Sequence, residues 1–309
     1  MTDPTPDETI PVPPTAVGAG GEDLRRAGRR RRPSGRRWEA FWSNRLAVTA
    51  LVVLCLIVLA ALLAPWVAGY GYEVTDLRAR SLMPGSPGHV LGTDHLGRDI
   101  WGRLVYATQV SLAAGLGSVL MALVVALPLG MAAGYFGGLI DRVASAVVDF
   151  LLSFPPVILV FVLAGILGAS LRNAIIALGV YFTPLFVRLI RGEVRTMRQG
   201  QLVEAERAVG ASDLTILRRH VLPNIASPII VQASLTVGVG ILAEAALSFL
   251  GLGVQPPRPS WGIMIRTAFD RVQSEPWMIV IPATAVALTV LCLNIVGDGL
   301  RDALGRLEG

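Results

Sequence analysis

Lysine is missing from this sequence: all 27 basic residues are arginine. That absence removes one class of activity, because the phosphate loop GxxxxGK[ST] needs its lysine to reach the nucleotide phosphates. The chain therefore cannot supply an ATP site of that kind. Cysteine is scarce as well. Cys55 and Cys292 each lie inside an apolar run, so a disulfide framework is not indicated and inert buried thiols are expected. The three histidines stand apart at 89, 95 and 220, with no nucleophile–base or metal-ligand spacing around them, which leaves a membrane-embedded enzyme as the weakest reading. Charge is sparse too, at 16% of residues, and is collected in blocks between apolar runs. With a mean hydropathy of +0.61, the chain is too apolar for an ordinary soluble domain and has a multi-pass membrane pattern.

Three regions follow from composition. Residues 1–37 form an N-terminal arm, rich first in Pro, Thr, Gly and acid and then carrying eight arginines between 25 and 37. Its composition predicts disorder. An Arg run can mean nucleic acid, but no aromatic interleaving accompanies it; just ahead of a span it is expected to fix topology and attract anionic lipid. Residues 38–111 hold a first span (46–68) and an external segment of roughly 40 residues. Residues 112–309 hold five further spans, expected at 112–134, 143–168, 173–190, 225–252 and 277–296. The third is interrupted at Phe154-Pro155-Pro156, where freed backbone groups need partners on neighbouring helices.

The stretch 204–224, EAERAVGASDLTILRRHVLPN, is polar between apolar runs yet keeps helical spacing. Leu202, Ala205 and Val209 predict one apolar face of a short helix. Gly210 stands where a left-handed residue ends a helix. Ser212-Asp213 can cap a second helix with Leu214, Leu217 and Val221 on one side, and Pro223 closes the unit. A helix–Gly–helix of this kind suits docking into a partner's groove; a juxtamembrane helix on lipid headgroups is the alternative.

Glu204, Ala205, Gly210, Leu222 and Pro223 occupy the frame EAA, three residues, Gly, nine residues, Ile-x-Leu-Pro. In that frame the chain resembles the permease subunits of binding-protein-dependent ABC importers, with Glu206 in place of the third Ala and His220 in place of the Ile. Other stretches are similar to the oligopeptide/dipeptide/nickel type, in the branch of its "C" permease subunit. They are LGTDHLGRDIWGRLVYATQVSL before the second span, SFLGLGVQPPRPSWGIM at 248–264 and NIVGDGLRDALGR at 294–306.

The resemblance covers about residues 40–306 and implies an all-α integral membrane protein. It would have six transmembrane helices, a type I ABC importer permease fold and a coupling helix at about 201–219. It implies ATPase docking through Glu204, Ala205, Glu206, Ala208, Gly210, Asp213 and Leu217. The implied partners are a homologous second permease subunit, two ATPase subunits carrying ATP-Mg, and an extracytoplasmic solute-binding protein. No cofactor or metal is expected on this chain and no nucleic acid partner. Asp94, Arg98, Pro257 and Trp261 are candidates to face the binding protein, and Trp261 is also expected as an interfacial anchor.

Two intramembrane carboxylates are pathway or gate candidates. Asp149 is expected near the inner interface. Glu244 is expected about 30 Å beyond Asn224, near the outer mouth and partly wet. A mid-bilayer charge costs ~2.5–3.5 kcal/mol on insertion scales, so such groups face protein or water. Glu244 either lines the pathway or is an interfacial carboxylate bonded to an adjacent helix. Asp94, His95 and Asp99 could ligate a metal, but turn capping and pairing with Arg98 and Arg103 are favoured.

Six spans put both termini on one side. That arrangement leaves 19 of the 27 arginines inside, as the positive-inside rule requires. It predicts cytoplasmic termini and a cytoplasmic docking segment, and the resemblance implies a bacterial plasma-membrane protein. The expected cargo is a di- or oligopeptide, with nickel or another small solute as the alternative. A self-contained ion-coupled carrier is disfavoured, since neither an internal repeat nor paired midplane charges are evident.

Overall fold

The computed structural model describes residues 41–305, all helix and turn with no strand among them. The Arg-rich arm at 1–37 and Arg306 of the tail lie outside the described residues. Helix α1 (Arg45–Leu62) begins where the Asn44 side chain accepts the Ala47 N–H, and a short α2 (Ala64–Val67) follows with Pro65 in its first turn. The chain then runs through turns to Asp99, whose carboxylate caps α3 (Ile100–Phe136) by accepting the Gly102 N–H at 2.6 Å. At 37 residues and ~1.5 Å per residue, α3 is about 55 Å long, so it overshoots a hydrocarbon core of about 30 Å. The second span expected at 112–134 is the interior of this longer helix.

The third span departs most from expectation. It consists of α4 (Gly138–Leu152) and α5 (Pro156–Leu167), bent by 92° at the break between them. The cause is local: neither proline can donate to a helical ladder, and each excludes the residue before it from the helical region. The described residues contain five helices long and apolar enough to cross a membrane, or six when the bent pair is one span.

Helix α6 (Leu171–Arg198), capped by Ser170, is longer than the run of 15 uncharged residues suggested. Beyond it come α7 (Gln201–Ala208), α8 (Asp213–Ile216), a π-turn (Leu217–Val221), α9 (Leu222–Phe249), α10 (Trp261–Phe269) and α11 (Trp277–Gly305). Pro223 does not close the docking unit; it sits in the first turn of α9, where a missing N–H is tolerated. The tail expected from 294 on is the continuation of α11.

The bundle is built on α3, packed against α6 and α9. Small residues allow the close crossings that lipid-embedded helices need, since water supplies no hydrophobic drive there. At the α3–α9 crossing, a Cβ on Gly115 would stand 2.7 Å from Ile241, and one on Gly240 would stand 3.2 Å from the Gly115 Cα. Leu178, Phe182, Phe186 and Ile190 of α6 fill the core. Helix α1 rests on α11 through Ala47, Ala50, Leu51, Val53 and Leu54 and meets the main core at Ala61, while Cys55 is exposed. That reverses the expectation of a buried thiol at 55. The outward leucines and valines of α1, α3 and α5 leave a broad apolar belt, as a bilayer or a partner helix requires.

Candidate functional site

The docking segment lies at one end of the bundle, between α6 and α9. Gly210 adopts φ +82°, a conformation that costs an L side chain about 1–2 kcal/mol, and it separates α7 from α8. Ser212 caps α8 through the Thr215 N–H. The faces differ from the predicted ones. Val203, rather than Ala205 or Val209, is the buried anchor of α7, and Ala205 is exposed. In the second half Ile216, Leu217 and Val221 are buried, whereas Leu214 is 64% exposed. Leu217, expected on the docking surface, is packed into the core instead. Glu204, Ala205, Ala208 and Gly210 are exposed, and with Val209 (80% exposed) and Leu214 they form a mixed apolar and acidic surface.

Three polar ties hold this surface to the bundle. The Tyr135 hydroxyl at the end of α3 donates to Asp213 at 2.6 Å. The Arg207 guanidinium lies 5.1 Å from the centre of the Tyr135 ring, and that hydroxyl raises the arginine's pKa further. His220 Nε2 stands 3.3 Å from Glu206 Oε1. The two positions that depart from the importer pattern, 206 and 220, are thus partners. The pair puts one polar contact between α7 and the π-turn where the importer pattern has two apolar side chains.

The opposite end of α9 is organised around Glu244, which is 0% exposed. The expectation of a partly wet carboxylate is corrected here. The Ser111 hydroxyl of α3 donates to Oε2 at 3.1 Å and the Ser248 hydroxyl to Oε1 at 2.6 Å. Each serine also accepts a backbone N–H, Ser111 from Trp261 at 3.4 Å and Ser248 from Val254 at 3.1 Å. One carboxylate thereby fixes α3, α9, the 250–260 loop and the start of α10. Hydrogen bonds to both oxygens supply what a buried acid needs. Asp149, by contrast, is exposed on α4 and pairs with Arg188 of α6 at 3.1 Å.

Three of the four expected binding-protein contacts are interior. Asp94 Oδ1 accepts the Leu96 and Arg98 N–H groups, and Oδ2 pairs with Arg98 Nε at 2.7 Å, with Arg103 Nε 3.8 Å away. Asp99 caps α3 and takes His89 Nδ1 at 2.9 Å. Trp261 is 1% exposed, so it is core and not an interfacial anchor; only Pro257 is exposed. Asp94 and Arg98 are turned inward by their own pairing and by Arg103, while the start of α10 is tied to α3 by the Trp261 N–H to Ser111. Sequence reasoning missed Ser111 and Ser248. Ser248 stands four residues after the intramembrane acid, which is the spacing that could have revealed it.

Comparisons agree with this architecture. Residues 126–307 match the family model described as binding-protein-dependent transport system inner membrane component, and residues 33–84 match the N-terminal TM domain of oligopeptide transport permease C. A dipeptide transport system permease protein, DppC, of Alkalihalophilus pseudofirmus is 42% identical, with 84% of this chain and 86% of that protein covered. A glutathione transport system permease protein, GsiD, of Pectobacterium atrosepticum is 39% identical over 86% and 89% of the two chains. Among solved structures, an inward-facing conformation of the MetNI methionine ABC transporter superposes with a TM-score of 0.53 at 22% identity. It covers 65% of this chain and 96% of that one, and supports the fold alone.

Proposed function

Since the chain belongs to the binding-protein-dependent transport system inner membrane components, we propose that it forms half of the translocation pathway of an ATP-driven importer of short peptides. The relatives compared above transport dipeptides and glutathione, small solutes carrying both an amino group and carboxylates. A second, homologous permease subunit would complete the pathway. Two ATPase subunits would bind ATP-Mg and hydrolyse it, leaving this chain without catalysis of its own, and a solute-binding protein would deliver cargo from the outside. The arginine distribution supports an orientation in the plasma membrane with both termini and the docking segment in the cytoplasm.

The observation that carries this reading is the docking segment. Its outer surface, Glu204, Ala205, Ala208, Val209 and Leu214, is open, while Val203, Ile216 and Val221 are fixed in the core. A helix held on one side and free on the other transmits displacement as a rigid body. Closure of the ATPases would press on α7 and α8, and the π-turn would pass the movement to α9. Gly210→Pro or Glu204→Lys should leave membrane insertion intact while uncoupling ATP hydrolysis from uptake. Reconstituted vesicles with labelled dipeptide measure this directly. Unchanged uptake in both variants, or accumulation of nickel with no peptide transported, would overturn the respective part of the reading.

A further inference from the structure

A cleft between α6, α9 and α11 contains two charges that the fold leaves unused. It encloses about 650 Å³, within the range of about 300–1,000 Å³ usual for small-molecule sites. Glu193 of α6 and Arg301 of α11 both line it. Among the described residues, neither forms an ion pair with the other or with any third group. Two unlike charges that share a hollow without meeting leave room for something that carries both signs. Helix α9 contributes Asn224, Ser227 and Gln232 to the same lining. The Asn224 amide N–H is spent on the His220 carbonyl at 2.6 Å and that of Gln232 on the Thr236 hydroxyl at 3.2 Å. Their side-chain carbonyl oxygens remain as acceptors suited to a peptide N–H.

We propose that this cleft receives a short zwitterionic peptide lengthwise, its α-ammonium at Glu193, its α-carboxylate at Arg301 and its backbone amide at Asn224 or Gln232. The assignment rests on the importer reading above and adds to it a site on this chain and an orientation of the cargo. Guanidinium–carboxylate recognition is planar and bidentate, which favours a carboxylate over a neutral solute at Arg301. A bare cation or an uncharged sugar would leave at least one of the two charges unanswered, and sites with unmatched polar groups reject such ligands. Arg301 is exposed and Glu193 half-buried, so water screens both contacts and the grip is weak enough for release. Pro223 also lines the cleft, just beyond the π-turn, so movement of the docking segment reaches the cleft wall within a few residues.

The test uses the complete importer in proteoliposomes with alanyl-alanine as cargo, and dipeptides bearing a benzophenone on the first or the second side chain. Glu193→Gln and Arg301→Gln should each lower uptake about tenfold, the loss expected for one charge-assisted hydrogen bond. Glu193→Asp and Arg301→Lys should recover part of the uptake, and neither glutamine variant should reduce the amount of assembled complex. On illumination, the first-residue probe should attach to α6 and the second-residue probe to α11. Unaltered uptake in both glutamine variants, loss of assembled complex in step with uptake, or probes labelling both helices equally would each overturn the assignment. If the unsubstituted complex hydrolyses ATP but takes up no dipeptide, the importer reading itself falls, and this assignment with it.

Discussion

The two ends of α9 carry family motifs of similar strength, yet they use them in opposite ways. At one end, residues 204–214 hold exposed side chains on a helix–Gly–helix tied down by Val203 and a few polar contacts. At the other, the 248–264 motif is folded inward, with Ser248, Ser260, Trp261 and Ile263 all buried around Glu244. A family motif can therefore lie open on the surface or be spent inside the fold. Burial separates the two cases, because a side chain with no exposed surface contributes nothing to a partner's contact area.

The comparison breaks most visibly at Glu244. Glu244→Ala strips two buried hydroxyls of their acceptor, and an unsatisfied buried polar group costs about 1–3 kcal/mol. Stability in detergent should drop by about 2–4 kcal/mol, while Glu244→Gln should lose much less; equal and small effects would mean the carboxylate is not a structural hub. Gly262→Ala comes next. Its Cβ would stand 2.2 Å from the Ala245 carbonyl oxygen, so α10 must move off α9 at a cost of about 1–3 kcal/mol, read as a lower melting temperature.

At the docking end the effects on stability should be smaller. Glu206→Ala or His220→Ile alone should cost about 0.2–1 kcal/mol, as for a partly exposed ion pair. The double variant should lose less than the sum of the two, because it restores an apolar pair; a strictly additive cycle would show that the two do not interact. The smallest effect concerns His95, on the outer segment. Burial pushes its pKa below the usual value, with the nearby Asp94 carboxylate opposing. A depressed histidine favours the fold when neutral, so its contribution is complete above the unfolded-state pKa of about 6.5 and declines as pH falls through it. The melting temperature of His95→Gln should fall less between pH 8 and pH 5 than that of the unsubstituted protein.

Much of this molecule was legible in the order of its residues. Runs of apolar residues between charged blocks set the number and approximate place of the spans, because a bilayer admits few other arrangements. Gly210, the Ser212 cap and the prolines at 155 and 156 marked breaks that the backbone obeys locally. Helix ends beyond the apolar runs were not legible, since α3 and α6 continue through polar residues that only neighbouring helices hold in place. Neither was the inward turn of Asp94, Arg98 and Trp261, nor the pairing of Glu206 with His220. Those depend on which residues meet across a fold, 150 positions apart in the case of Ser111 and Trp261. Local sequence fixes what each segment can form, whereas burial and partnership are properties of the packed bundle.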